Sequence, residues 1–240
     1  MKLDRPELKR SAAGIIRGSK PSAISVGVVY LLLSIVIGLL TSRLMSINIS
    51  ETEAMNYMQY VMNGNYDYAL QYIDSMKPPF TSVVLDVVLR VVMSIVSAGF
   101  ILFLLNTIRN TAPCFGNLLD GFGFFLKIIL LNLLEGIFIS LWSLLLFFPG
   151  IIAAYRYRQA IYILIDDPSK SPLQCIRESK AMMKGHKWEL FVLDLSFIGW
   201  MLLAGIPVIG YAVRVWTVPY IAMTKALYYE RLKNGAYLPA

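Results

Sequence analysis

The sequence is poor in the residues that usually carry chemistry. It holds one histidine, His186, and two cysteines, Cys114 and Cys175, among 240 residues. A zinc site needs several nitrogen or sulfur ligands at set spacings, so no metal is expected, and no other cofactor is assigned. Walker loops, HExxH and GxSxG are all missing, and no histidine completes a nucleophile and base pair. The expectation is therefore a protein that is not an enzyme, a carboxylate-only hydrolase built on Asp86 or Glu135 being the remaining catalytic option. Charge is scarce too, at 15% of residues, where a soluble domain carries about a quarter. That shortage excludes an ordinary soluble fold.

What the chain has in quantity is apolar residues, 57% of the total. A bilayer core about 30 Å thick is crossed by roughly 20 of them in a helix. Six segments qualify: 22–44, 80–106, 122–148, the short 150–165, 189–208 and 211–229. The reading is an all-α integral membrane protein, one membrane domain over 1–240, with six transmembrane helices. A five-span alternative makes 150–165 re-entrant. About twenty charged and polar residues precede the first run, and no small-residue cleavage pattern follows it, so that run is expected to stay as a helix.

Lysine and arginine mark cytoplasmic segments. Lys2, Arg5, Lys9, Arg10, Arg17 and Lys20 precede the first span. Lys170, Arg177, Lys180, Lys184 and Lys187 fill the connection 166–188, and Arg231 and Lys233 follow the last span. The loop 45–79 instead has Glu51, Glu53, Asp67 and Asp74 against Lys77 and is placed outside. Six spans put both termini in the cytoplasm. These segments also explain the net charge of +7, and without a basic recognition motif nucleic acid is not an expected partner. Both cysteines fall on the cytoplasmic side, where a disulfide is not expected.

Two cytoplasmic segments read as amphipathic helices. In 166–188, Ser171 and Gln174 have capping-box spacing, with Pro172 at the first helical position. Arg177, Lys180, Lys184 and Lys187 then recur at three- and four-residue intervals as a basic stripe beside Leu173, Ile176 and Met183. Such a helix suits an anionic leaflet. Residues 1–21 repeat the design, with Leu8, Ala12 and Ile15 on one face and Arg10, Arg17 and Lys20 on another. Anionic lipid at the cytoplasmic face is the expected partner, together with a membrane-protein partner or a second copy. In the outer loop, Ser50 and Glu53 have capping-box spacing before a run that Asn63-Gly64 breaks, and Asn48-Ile49-Ser50 matches a glycosylation sequon.

Ionisable groups inside spans are costly and usually find partners. Counting at about 1.5 Å per residue puts Asp86, Arg156 and Arg158 in a common outer layer, with Arg214 nearby. The expected pairs are Asp86 with Arg156 or Arg158, Glu135 with Arg90, and Asp194 with Lys225. Pairing Glu135 with Arg158 is disfavoured, because Glu135 lies about 8 Å deeper in that hairpin. Arg156 and Arg158 point about 200° apart on a helix, so one either snorkels or serves a site for an anion such as a lipid phosphate.

FFPGIIAAYRYRQAIYILIDDP, SPLQCIRESKAMMKGHKWELFVLDLSFIGW, VPYIAMTKALYYE and LKRSAAGIIRGSKPSAI together resemble an uncharacterised family of bacterial multi-pass membrane proteins. More distantly, the Pro-Gly entry and SPLQCIRESKAMMKGH look like the membrane domain attached to some glycerophosphodiester phosphodiesterases. The resemblance implies a bacterial inner-membrane location and lipid relevance; it supplies no catalytic residue, because the catalytic barrel of those enzymes has no counterpart here. The functional expectation is an accessory, transport-related or envelope-protective factor. The alternative is a small transporter or lipid-binding protein whose site uses Arg156, Arg158, Asp86 and Arg214. With both termini cytoplasmic, alkaline phosphatase fused after Ala240 should be inactive in cells; an active fusion would favour five spans.

Overall fold

The computed structural model describes residues 4–46, 51–75, 77–207 and 209–235. These are helical wherever they are regular, with no strand among the described residues. In order the helices are α1 (Arg5–Gly18), α2 (Ala23–Met45), α3 (Glu51–Met62), α4 (Tyr66–Ser75), α5 (Phe80–Arg109), α6 (Asn117–Asp120), α7 (Phe125–Leu145), α8 (Phe147–Tyr157), α9 (Ala160–Asp166), α10 (Pro172–Met182), α11 (Lys187–Leu195), α12 (Ile198–Ala204) and α13 (Ile209–Lys233). A 3-10 turn, Gly121–Phe124, leads into α7.

Three stretches are long and apolar enough to cross a membrane: Ala23–Met45, Phe80–Arg109 and Asn117–Leu144. They indicate a membrane protein. Six spans are not supported. The expected fourth span, 150–165, is interrupted at Arg158 and Gln159, and the fifth, 189–208, at Ser196 and Phe197. The sixth lies in one continuous helix, Ile209–Lys233, but with Arg214 and Lys225 within it this helix is not among the stretches apolar enough to cross. Phe148 and Trp188, which six spans would put at opposite membrane faces, line one cavity.

The chain forms two compact units, whose boundaries fall inside α2 and α5. The smaller, Ser34–Met93, contains the α3–α4 pair. The break at Asn63-Gly64 is present, and Tyr60 stacks on Tyr68 at 5.8 Å and Tyr57 on Tyr72 at 6.4 Å. The Ser50–Glu53 cap and the Asn48-Ile49-Ser50 sequon lie outside the described residues.

The larger unit, Met1–Leu33 with Ser94–Ala240, holds the rest. Here α7 and α8 form a tight hairpin around Leu146, whose backbone is extended. Gly150 is required there, since a Cβ would sit 2.1 Å from the Ser143 hydroxyl oxygen. In α13 the interior Pro219 cannot donate to the helix ladder, yet the helix continues through it. Gly27 of α2 leaves room for the proline ring, which would lie 3.0 Å from a Cβ at that position.

The helix α1 starts as its sequence dictates, with Asp4 accepting from the Glu7 amide at 3.2 Å and Pro6 in the first turn. Its apolar face is Leu8, Ala12 and Ile16, all buried, with Ile15 only partly so. That face packs on α13 rather than on lipid, and Arg231 ties α13 to Glu7 at 3.0 Å. Leu8→Ala should therefore destabilise the protein by about 2–5 kcal/mol. Thermal unfolding in detergent would register this, while Arg10→Ala on the exposed side should leave the transition in place.

Candidate functional site

The stretch FFPGIIAAYRYRQAIYILIDD is two helices joined at Arg158 and Gln159. In an unbroken helix the Gln159 amide would donate to Tyr155, and the Arg156 carbonyl would accept from Ala160. The break frees both groups where water is excluded, for Gln159 is buried. Ser179 of α10 serves the two together: its hydroxyl oxygen accepts from the Gln159 amide at 3.2 Å and donates to the Arg156 carbonyl at 2.9 Å. Ser179 is itself fully buried, one turn after Cys175. Burial pushes the Cys175 thiol up to about 11, so it is an inert packing group, whereas Cys114 is exposed.

The charged residues expected in the membrane are arranged differently from a single arginine layer. Asp86 and Arg90 pair with each other along α5, at 2.8 Å. Asp194 and Lys225 lie 2.9 Å apart, and the Tyr155 hydroxyl donates to the other Asp194 oxygen at 3.2 Å. Arg158 makes no ion pair within 4.0 Å among the described residues, but its field acts on Glu135, Tyr155, Tyr162 and Lys225. It therefore stands near the Asp194–Lys225 pair and also near Glu135, the neighbour that the hairpin count disfavours. One oxygen of Glu135 is buried without a hydrogen bond among the described residues. Arg156 also lacks an ion pair among the described residues, and Arg214 lies over the Tyr211 ring, 5.6 Å from its centre.

A polar cluster missed by sequence reasoning gathers three helix ends. Arg109, at the end of α5, pairs with Asp166 of α9 at 2.7 Å and also with Glu230 of α13. Asp166 further accepts from the Tyr229 hydroxyl at 2.9 Å and pairs with Lys233. Burial by itself would raise the Asp166 carboxyl, but hydrogen bonds from Lys233, Arg109 and Tyr229 hold it below its ordinary value. The start of α7 joins this side of the unit through Lys127, whose ammonium donates to the Pro168 and Ser169 carbonyls. Asp166 and Glu230 were visible in IDD and YYE, but nothing in their spacing pointed to Arg109, far away in sequence.

The basic stripe is divided between elements. Ser171 caps α10 by accepting from the Gln174 amide at 3.3 Å, one half of the expected capping box, and the Gln174 side chain donates to Glu178 at 3.2 Å. However, α10 ends at Met182, Lys184 lies in the following turn, and Lys187 opens α11. Pro172, Cys175, Ile176 and Ser179 are buried against α7, α8 and α9, so protein takes the apolar side of α10. Arg177, Lys180 and Lys184 are exposed, and neither they nor Lys187 pair with a carboxylate among the described residues. Lys187 also borders a cavity of about 320 Å³ between α8 and α11, lined otherwise by Phe148, Ile151, Ile152, Tyr155, Trp188 and Phe191.

Residues 144–236 match a family described as a protein of unknown function, DUF975. The match covers less than half of the chain and takes in the α8–α9 break, α10, the cavity and most of the polar cluster. It agrees with the resemblance to an uncharacterised family over a narrower region. No curated protein and no solved structure matches the chain, and the glycerophosphodiester phosphodiesterase likeness is not shown.

The lowered Asp166 value fixes the sign of a pH effect. Its stabilisation is complete above the unfolded carboxyl value of about 3.9 and is lost as pH falls through the lower folded value. Asp166→Asn should cost about 1.5–3 kcal/mol near neutral pH, because a charged acceptor is lost. Thermal unfolding across pH should show the parent losing its advantage over the variant below about pH 4; a constant difference would assign Asp166 no ionic role.

Proposed function

We propose that the chain is a non-enzymatic membrane protein that engages anionic lipid through the basic side chains of α10 and the start of α11. Its role on this reading is accessory, transport-related or protective of a bacterial envelope, with the basic side facing the cytoplasm. The carrying observation is that Arg177, Lys180, Lys184 and Lys187 lack carboxylate partners among the described residues, while the apolar side of α10 is already packed. On α10 the protein thus offers cations while the apolar side is taken by protein. Each lysine or arginine near an anionic surface contributes about 1 kcal/mol. The linkage of α1 to α13 through Glu7 and Arg231, and of α5, α9 and α13 through Asp166, supports a shared side for these segments.

The transporter reading keeps a narrower basis. Of the four residues expected to form the site, Asp86 pairs with Arg90 instead and Arg214 lies over Tyr211, which leaves the reading resting on Arg156 and Arg158. Neither lines the cavity between α8 and α11. Native mass spectrometry of the protein with phosphatidylglycerol separates the two readings. Replacing Arg177, Lys180 and Lys184 together by Gln should strip most bound phosphatidylglycerol and abolish its sensitivity to salt. Retention unchanged in that variant, but lost in Arg156→Ala with Arg158→Ala, would overturn the lipid-surface reading in favour of the arginine site.

A further inference from the structure

The cavity between α8 and α11 combines three properties that a chance gap between helices does not. Its size, about 320 Å³, reaches the lower end of the roughly 300–1,000 Å³ that holds small ligands. One wall is fixed before anything binds, the Tyr155 hydroxyl being tied to Asp194 and the Tyr155 and Trp188 rings both resting on Phe191, at 5.8 Å and 5.1 Å, while Phe148 and Ile152 stand exposed at the mouth. Apart from that tied hydroxyl, the lining is aliphatic and aromatic, with one cation, Lys187. Trp188 is 70% exposed at its edge. Tryptophan, tyrosine and lysine around an apolar slot is the chemistry of a membrane interface, where the rings sit at headgroup level and the ammonium reaches towards phosphate.

We propose that this cavity takes one acyl chain of an anionic phospholipid whose headgroup phosphate pairs with Lys187. The inference rests on the lipid-engaging reading and gives it a defined site. Charge complementarity selects the headgroup, since no carboxylate neutralises Lys187 among the described residues. The volume accommodates part of one chain and leaves the rest of it and the second chain in the bilayer. Lys184, three residues before Lys187, belongs with Lys180 and Arg177 to the exposed basic stripe and lines no part of the slot.

The test uses the full chain in phosphatidylcholine vesicles, with tryptophan emission quenched by lipids brominated on an acyl chain. Subtracting the signal of Trp188→Phe isolates Trp188. Brominated phosphatidylglycerol should quench Trp188 at about fivefold lower mole fraction than brominated phosphatidylcholine, the factor one surface lysine supplies. Lys187→Gln should erase that preference. Ile151→Phe, which narrows the slot and keeps every charge, should weaken quenching by the anionic lipid. The Arg177, Lys180 and Lys184 to Gln variant should retain the Trp188 preference while losing bulk phosphatidylglycerol retention. Equal quenching by the two lipids, or a preference that survives both Lys187→Gln and Ile151→Phe, overturns the site and leaves the stripe reading standing. A brominated free fatty acid that quenches Trp188 better than phosphatidylglycerol overturns the phospholipid assignment.

Discussion

The carboxylate of Asp166 is the constraint on which the larger unit turns. It sits where α9 ends and receives Arg109, Tyr229 and Lys233, thereby holding the ends of α5 and α13 to the short helix between them. Glu230 shares Arg109, so the cluster contains two carboxylates against two cations. That balance matters because an ion removed from water without compensation destabilises by several kcal/mol. Here each carboxylate has a cation, and Asp166 has a phenol as well. A helix of seven residues could not hold its place by its own hydrogen bonds; α9 is held by its partners.

The same logic governs the breaks. Apolar segments that would cross a bilayer as single helices are instead divided, and a side chain from another element serves each interruption. Ser179 does so between α8 and α9. Between α11 and α12, the Lys9 ammonium donates to the Ser196 carbonyl at 3.1 Å and lies 4.2 Å from the centre of the Phe197 ring. Thus α1, whose composition suggests a surface anchor, is part of the packing. Gly27 and Pro219 show the same reciprocity sterically, one residue lacking the atom that the other's ring would meet.

Local chemistry was legible in the sequence and long-range geometry was not. The Ser171 cap, Pro172 at the start of α10, the Asn63-Gly64 break and the three long apolar helices each follow from signals within a few residues. Asp194 and Lys225 could be matched by counting because both sit in apolar surroundings. Counting failed for Asp86, whose partner is four residues along its own helix. It failed again for Arg156 and Arg158, because it assumed a continuous helix through Gln159. Hydropathy alone cannot distinguish one helix that crosses a bilayer from two short ones joined at a break, since both are apolar along their length. The Arg109 cluster was invisible for another reason: its members occupy three helix ends, where charge reads as ordinary solvation.

The Ser179 hydroxyl has one further consequence. It is donor to one side of the α8–α9 interruption and acceptor from the other, so the chain's path from Tyr157 to Ala160 depends on where α10 stands. A shift of α10 by one residue would leave an amide and a carbonyl orphaned together, which makes any other position costly and holds α10 in this register. The side of α10 that carries Arg177 and Lys180 is thus mechanically geared, through a single oxygen atom, to the backbone that aims Arg158.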